Sequence, residues 1–567
     1  MINYRAKPFY LSDSDIAWVE DTLARMSIEE KIGQVFCLTD ITTDTEELTN
    51  LVEHYHPGAF MYRAGDGKEI QAAYKAMSTA SKVPMLFPCN LESGGNGISP
   101  TGTYLGRPLA VAATSDPEQA YRLGLVCGRE GTAVGCNWAF APIVDIDFNW
   151  RNPITNVRTF GSDPQRVLDM GSAYLRGLAD SPRPMAACVK HFPGDGVDER
   201  DQHLMPTVNS LSAEDWLATY GRVYQALIDQ GAQTVMAGHI IQPGLERLVQ
   251  PGIRDEDMLP GSLSRNLLTG VLRERMGFNG LITTDATPML GFSAQRSRAD
   301  ALCTALMAGA DMLVFCKNIK EDYAAIQQGL KKGLVTLERL DEAVARQLAL
   351  KASLALHRNP LPNVEELRWL SCEEHSRWAK ECAEKSITLV KDNQGLLPLS
   401  PSRTRRIRIT VLGGNQSGGF GEGGSVAEPL KRALEAEGFD VSLYDYATME
   451  RGEIFTSGVA DMKEKFDLSI VVGNVSTGSN YTTRRLDWIP LMAANEPWYI
   501  KDIPTMFVSF CNPYHMIDVP FISTFVNCYS ANIAAVSAFV ERIMGRAQFE
   551  GISPIDPWCG AWGAKFM

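Results

Sequence analysis

The sequence predicts an α/β protein: an N-terminal (β/α)8 TIM barrel followed by a doubly wound α/β sandwich domain. Three observations predict it: eight short apolar runs separated by helical patterns, a polar stretch near residues 358–400, and a further series of apolar runs beyond that stretch. At 567 residues the chain is too long for one ordinary domain.

The first four runs are 35–38, 59–62, 85–88 and 137–141, and the next four are 187–190, 234–238, 281–285 and 312–316. Each is nearly continuous in apolar residues, the pattern of a strand covered on both faces in a parallel sheet. Helical patterns such as 164–179 and 213–229 lie between them. Eight such units close a barrel, whose reacting groups sit at the carboxyl ends of the strands and in the loops that follow.

Helical patterns over 337–357 and 372–389 lead to the polar, turn-forming stretch Lys391-Asp392-Asn393-Gln394-Gly395-Leu396-Leu397-Pro398. The expected organisation is a barrel over 1–357, a helical linker over 358–400 and an α/β sandwich over 401–567. Strands are expected there at 406–412, 440–444, 468–472, 506–510 and 525–529, with helices at 426–437 and 531–544. No short internal repeat is present beyond the strand and helix alternation.

Composition narrows the function. Apolar residues make up 45% and charged residues 21%, as in ordinary globular proteins. The net charge of -13 comes without a Lys/Arg block, which argues against a nucleic-acid or anionic-membrane partner. No stretch approaches the roughly 20 apolar residues of a membrane span, and residues 1–13 carry no apolar leader core, so a cytoplasmic protein is expected, as monomer or homodimer. The twelve cysteines never form Cys-x-x-Cys, which points to reduced, buried thiols rather than a zinc site or a disulfide framework. Neither a metal nor a cofactor is expected.

The motif that carries most chemistry is Lys190-His191-Phe192-Pro193-Gly194-Asp195-Gly196, which leaves the fifth strand and runs on to Asp201-Gln202-His203. Lys190 and His191 can donate to sugar-like hydroxyls from a strand terminus. Asp201 and His203 stand one residue apart, so the carboxylate can hold one ring nitrogen and leave the other for acid/base work. A charged, solvated loop is the plain alternative. The second motif, Gly277-Phe278-Asn279-Gly280-Leu281-Ile282-Thr283-Thr284-Asp285, ends the seventh strand in a carboxylate able to attack an anomeric carbon, although helix capping would also place an Asp there. His239 ends the sixth strand at the same rim, either lining the site or serving the structure.

Together these motifs resemble glycoside hydrolase family 3, and the loop is similar to its β-N-acetylglucosaminidase branch, with Lys-His-Phe-Pro-Gly-x-Gly followed by Asp-x-His. The resemblance extends to Met26-Ser27-Ile28-Glu29-Glu30-Lys31-Ile32-Gly33-Gln34, Phe140-Ala141-Pro142-Ile143-Val144-Asp145, Arg158-Thr159-Phe160-Gly161 and Gly261-Ser262-Leu263-Ser264, and into the second domain through Thr388-Leu389-Val390-Lys391. It implies Asp285 as nucleophile, His203 as general acid/base oriented by Asp201, and Arg158, Lys190 and His191 as sugar-binding groups. The implied activity is retaining hydrolysis of terminal β-N-acetylhexosaminides, GlcNAc favoured, on a β-linked amino-sugar oligosaccharide or glycoconjugate. Phosphorolysis through the same intermediate, and a non-catalytic sugar- or nucleotide-binding protein, are the alternatives.

Two departures stand out. Asp195 lies where many relatives carry a second His between the loop glycines. Asn90-Leu91-Glu92-Ser93-Gly94-Gly95-Asn96 replaces the Asp-Gln-Glu-Gly-Gly-Arg of cytosolic peptidoglycan recyclers, so Asn90 and Glu92 are expected to shape recognition of distal hydroxyls. In the second domain Gly419-Phe420-Gly421-Glu422-Gly423-Gly424, with Asp445 further on, satisfies a dinucleotide fingerprint, but the preceding strand ends near Leu412, too early for it. A flexible loop leaning toward the barrel mouth, or a surface connection, is the expected reading, and residues 558–567 read as a docked tail.

Overall fold

The computed structural model describes residues 2–359, 361–413, 425–444, 456–488 and 494–566. The chain forms two compact units: Met1–Tyr104 with Ala120–Asn149 and Asp163–Ser376, and Leu105–Gln119 with Trp150–Ser162 and Arg377–Met567. Two segments inside the expected barrel range therefore group with the C-terminal part of the chain. Within that unit Leu109, Ala110, Ala113 and Val157 share a core with Tyr514, Tyr529 and Ile555. The Ile552 N–H also donates to the Ala113 carbonyl over 2.8 Å.

The first unit is the barrel. Its strands are β1 (Phe36–Thr39), β2 (Ala59–Met61), β3 (Pro88–Cys89), β4 (Trp138–Ala139), β5 (Ala186–Phe192), β6 (Thr234–Ala237), β7 (Leu281–Ala286) and β8 (Met312–Val314). They pair in parallel in the order β2-β1-β8-β7-β6-β5-β4-β3. The ring closes through the bridge of Ala59 to Leu86, where Phe60 N–H donates to the Leu86 carbonyl (2.9 Å) and Leu86 N–H to that of Gly58 (3.0 Å). Every residue of β5 and β6 is buried, as their unbroken apolar runs require.

Two elements of the barrel differ from expectation. The run at 85–88 yields only the two-residue β3, because the Asn137 side chain accepts from Phe87 N–H (2.8 Å) and donates to the Met85 carbonyl (3.1 Å), occupying backbone groups that a ladder would use. The pattern over 213–229 is helical throughout, but Leu217–Gly221 forms a π turn between α segments Ala213–Trp216 and Arg222–Asp229.

At the amino end of β8, Asp311 is fully buried. Its carboxylate accepts from Arg273 (2.5 Å), Arg339 (2.8 Å) and the Ile282 N–H (2.9 Å), tying β7 and β8 to the helices that cover them. The opposing charges lower the Asp311 pKa even though burial, the largest single effect, raises it.

The second unit holds a six-stranded sheet of β9 (Thr388–Asp392), β10 (Arg406–Leu412), β11 (Asp440–Tyr444), β12 (Leu468–Gly473), β13 (Thr505–Ser509) and β14 (Thr524–Asn527), ordered β9-β14-β13-β12-β10-β11. All pairs are parallel except β9 with β14. β9 corrects the helical reading of 372–389: the helix Glu373–Ser386 stops and Thr388 starts an edge strand. Antiparallel pairing to β14 decides this, a contact more than a hundred residues away that local periodicity does not register. The Gly419 to Gly424 motif and Asp445 lie outside the described residues. Among the described residues no helix is long and apolar enough to cross a membrane.

Replacing Asp311 by Ala removes the buried carboxylate that Arg273 and Arg339 share, a loss expected to destabilise the barrel by about 3 kcal/mol. Urea unfolding followed by tryptophan fluorescence measures it, and a change below about 1 kcal/mol contradicts the clamp.

Candidate active site

The carboxyl end of β5 positions the first groups. The two residues at this end, Lys190 and His191, have separate partners. Lys190 is 2% exposed, and its Nζ donates to Glu92 Oε1 (2.8 Å) and Asn90 Oδ1 (3.4 Å), both just beyond β3. His191 Nδ1 lies 2.7 Å from Asp145 Oδ2; a carboxylate only accepts, so this nitrogen carries the proton. His191 Nε2 then faces Asp285 Oδ2 at 3.8 Å.

Asp145, which ends Phe140-Ala141-Pro142-Ile143-Val144-Asp145, joins the site without being expected there. It is 1% exposed and accepts three N–H groups: His191 Nδ1, the His191 backbone (3.0 Å) and the Asp195 backbone (2.8 Å). Its signal was a carboxylate just past the fourth strand. Between its two backbone contacts the chain turns at Gly194, whose φ of 118° and contact with the Tyr220 ring, 2.3 Å from where a Cβ would be, leave room only for glycine.

Asp285 ends β7 with its side chain 14% exposed. Its Oδ1 accepts the Ala286 N–H at 2.7 Å. Burial alone would raise its pKa, but attraction to His191, His239 and His203 and this hydrogen bond outweigh burial and hold the carboxyl down to about 2. Asp285 is therefore ionised at neutral pH, the state a nucleophile needs.

His239 sits at the end of β6, fully buried, with both ring nitrogens engaged. Nε2 donates to the Ala286 carbonyl (3.1 Å) and Nδ1 accepts from the Ser262 hydroxyl (2.8 Å). Burial pulls its pKa down to about 4. The ring is neutral near pH 7; its Nε2–H holds the backbone beside Asp285, and Ser262 fixes its other nitrogen.

The loop beyond β5 brings Asp201 and His203 together: Asp201 Oδ1 accepts from His203 Nδ1 (2.6 Å) and from the His203 backbone N–H (2.8 Å). The Asp201 side chain is fully buried, whereas that of His203 is 21% exposed, so Nε2 is the nitrogen left for a substrate. Arg158 is buried on the 3-10 turn Asn156–Arg158, in the segment that belongs to the second unit. Among the described residues no cluster of three His, Cys, Asp or Glu side chains could hold a metal ion, and all twelve cysteines are free.

A parallel eight-stranded barrel whose mouth gathers an ionised carboxylate, an Asp–His pair and sugar-sized polar donors defines an enzyme of the glycoside hydrolase class. The chain belongs to glycosyl hydrolase family 3: the profile described as Glycosyl hydrolase family 3 N terminal domain matches residues 27–350. A β-N-acetylglucosaminidase/β-glucosidase of Cellulomonas fimi is 42% identical over 565 residues, 99% of each chain. Among solved structures, the β-glucoside phosphorylase BglX is 46% identical with a TM-score of 0.93, covering 99% of both chains. A family 3 β-N-acetylglucosaminidase from Paenibacillus sp. str. FPU-7 shares the fold at 23% identity and a TM-score of 0.79, over 94% of this chain and 99% of that one.

The buried, neutral His239 makes stability depend on pH. Unfolded, it protonates near pH 6.5; folded, only near 4. Between these values the unfolded state binds more protons, so this contribution is complete above pH 6.5 and is lost as the pH falls towards 4. About 3 kcal/mol is expected to disappear across that window. Urea unfolding at several pH values should show a slope that His239→Gln flattens; an unchanged slope in the variant contradicts a neutral buried imidazole.

Proposed function

We propose that this family 3 enzyme is a retaining exo-glycosidase acting on terminal β-linked GlcNAc and glucose through a covalent intermediate on Asp285. The carboxylate of Asp285 attacks the anomeric carbon while His203 Nε2–H passes its proton to the departing aglycone oxygen, so one C–O bond forms as the other breaks. Water then attacks the same carbon, gives its proton to His203 and releases Asp285. Asp201 keeps the proton on His203 Nδ1 and directs Nε2 to the reacting oxygen. Lys190, His191, Glu92, Asn90 and Arg158 are assigned to the sugar hydroxyls, and His239 to the edge of the pocket.

The observation that carries the reading is a strand-end carboxylate 3.8 Å from the His191 ring, accompanied by an Asp201–His203 pair whose second ring nitrogen is left to solvent. The substrate range follows the relatives: one is named for both β-N-acetylglucosaminidase and β-glucosidase activity. We further read the protein as cytoplasmic, in keeping with the absence of disulfides among its twelve cysteines, and as a monomer or homodimer.

A second reading replaces water by inorganic phosphate. A histidine in the acid/base position does not repel an incoming anion as a carboxylate would, and a solved structure at 46% identity is a β-glucoside phosphorylase. Aryl β-N-acetylglucosaminides and β-glucosides assayed with and without phosphate separate the two: free sugar under both conditions supports hydrolysis, and sugar 1-phosphate with a phosphate-dependent rate supports phosphorolysis. Under either reading Asp285→Ala is expected to lower kcat by at least about a thousandfold, and an activated fluoro-sugar should label Asp285 in peptide mass spectra. Full activity in Asp285→Ala overturns both.

A further inference from the structure

Gln202 lies between Asp201 and His203. It is fully buried, and its side-chain amide is bonded at both ends: Nε2 donates to Asp195 Oδ2 (3.0 Å) and Oε1 accepts the His239 backbone N–H (2.8 Å). A buried primary amide is costly unless so paired. The surrounding backbone is shaped to it. A Cβ at Gly238 would lie 2.9 Å from Gln202 Oε1, and one at Gly291 would lie 2.2 Å from the Gln202 carbonyl oxygen. Leu290 N–H donates to the His203 carbonyl at 3.0 Å, pinning the next residue as well.

The hydrogen bonds continue in both directions. Asp195 is held by Asp145 through its N–H and also accepts the Gly196 N–H (2.7 Å). On the other side the His239 ring holds the Ala286 carbonyl, and the Ala286 N–H holds Asp285. One amide thus joins the loop of His203 to the strand end of Asp285.

We infer that Gln202, with Asp195 as its acceptor, is a positioning residue that fixes the acid/base loop relative to the nucleophile. This rests on the reading of His203 as the acid/base. It also accounts for the carboxylate at 195: a side-chain amide N–H needs an acceptor, which Asp supplies at the distance found. Proton transfer needs the imidazole within hydrogen-bond reach of the aglycone oxygen, and a misplacement of about 1 Å costs on the order of a hundredfold.

The test compares kcat/KM for methyl and dinitrophenyl β-glycosides of GlcNAc and glucose, because the dinitrophenolate departs without a proton. Gln202→Ala is expected to lose about 10- to 100-fold on the methyl glycoside and less than about 3-fold on the dinitrophenyl one, with a thermal midpoint close to that of the parent. Asp195→Ala should reproduce the pattern, and Asp195→Asn should recover most of the loss, because its amide oxygen still accepts. Equal losses on both substrates, or full activity of Gln202→Ala on the methyl glycoside, overturn the proposal. If Gln202→Ala does not fold, the Asp195 pair decides by the same criteria. His203→Ala is the control: a leaving-group dependence there but not in the Gln202 and Asp195 variants overturns the positioning role alone, and none there overturns the acid/base reading and this proposal together.

Discussion

The barrel mouth depends on a buried carboxylate that has exchanged water for three N–H donors. Asp145 takes the His191 ring, the His191 backbone and the Asp195 backbone, and so ties the end of β5 to the loop that follows it. Taking a carboxylate out of water is expensive unless hydrogen bonds replace its hydration. Once they do, the group resists displacement, since losing any one donor leaves charge uncompensated. His191 faces Asp285 with a defined nitrogen because Asp145 has taken the other. Asp195 can meet Gln202 because its own backbone is fixed by the same carboxylate.

From this anchor the site divides its ionisable groups by environment. Asp285 and Asp201 are both carboxylates, yet Asp285 feels three imidazoles and accepts the Ala286 N–H, whereas Asp201 accepts both the ring and the backbone N–H of His203. His239 and His203 are both rim histidines, but burial drives His239 towards neutrality while His203 keeps a face open to solvent. The chemistry a side chain is suited to follows from what replaces its water, not from its identity.

The fold was legible where the signal is local. Eight apolar runs gave the strand positions to within a few residues, since a strand covered on both faces must be apolar throughout. The misreadings fall where a distant partner decides: Asn137 shortening β3, and β14 drawing Thr388 and Leu389 out of the expected helix. The segments at 105–119 and 150–162 carry no compositional mark of the core they share with Tyr514 and Tyr529, because an apolar side chain does not record which neighbour covers it.

For the site, the sequence by itself determined the chemical inventory: a strand-end Asp285, an Asp201–His203 pair one residue apart, and cations after the fifth strand. Spacing along the chain suffices for these, since strand ends and i, i+2 pairs are short-range geometry. Only the tertiary structure decided that Asp145 orients His191, that His239 is buried with both nitrogens bonded, and that Gln202 bridges the loop to the nucleophile strand. Those roles rest on hydrogen bonds between residues up to 47 positions apart, and in a linear chain a buried glutamine and an exposed one are the same letter.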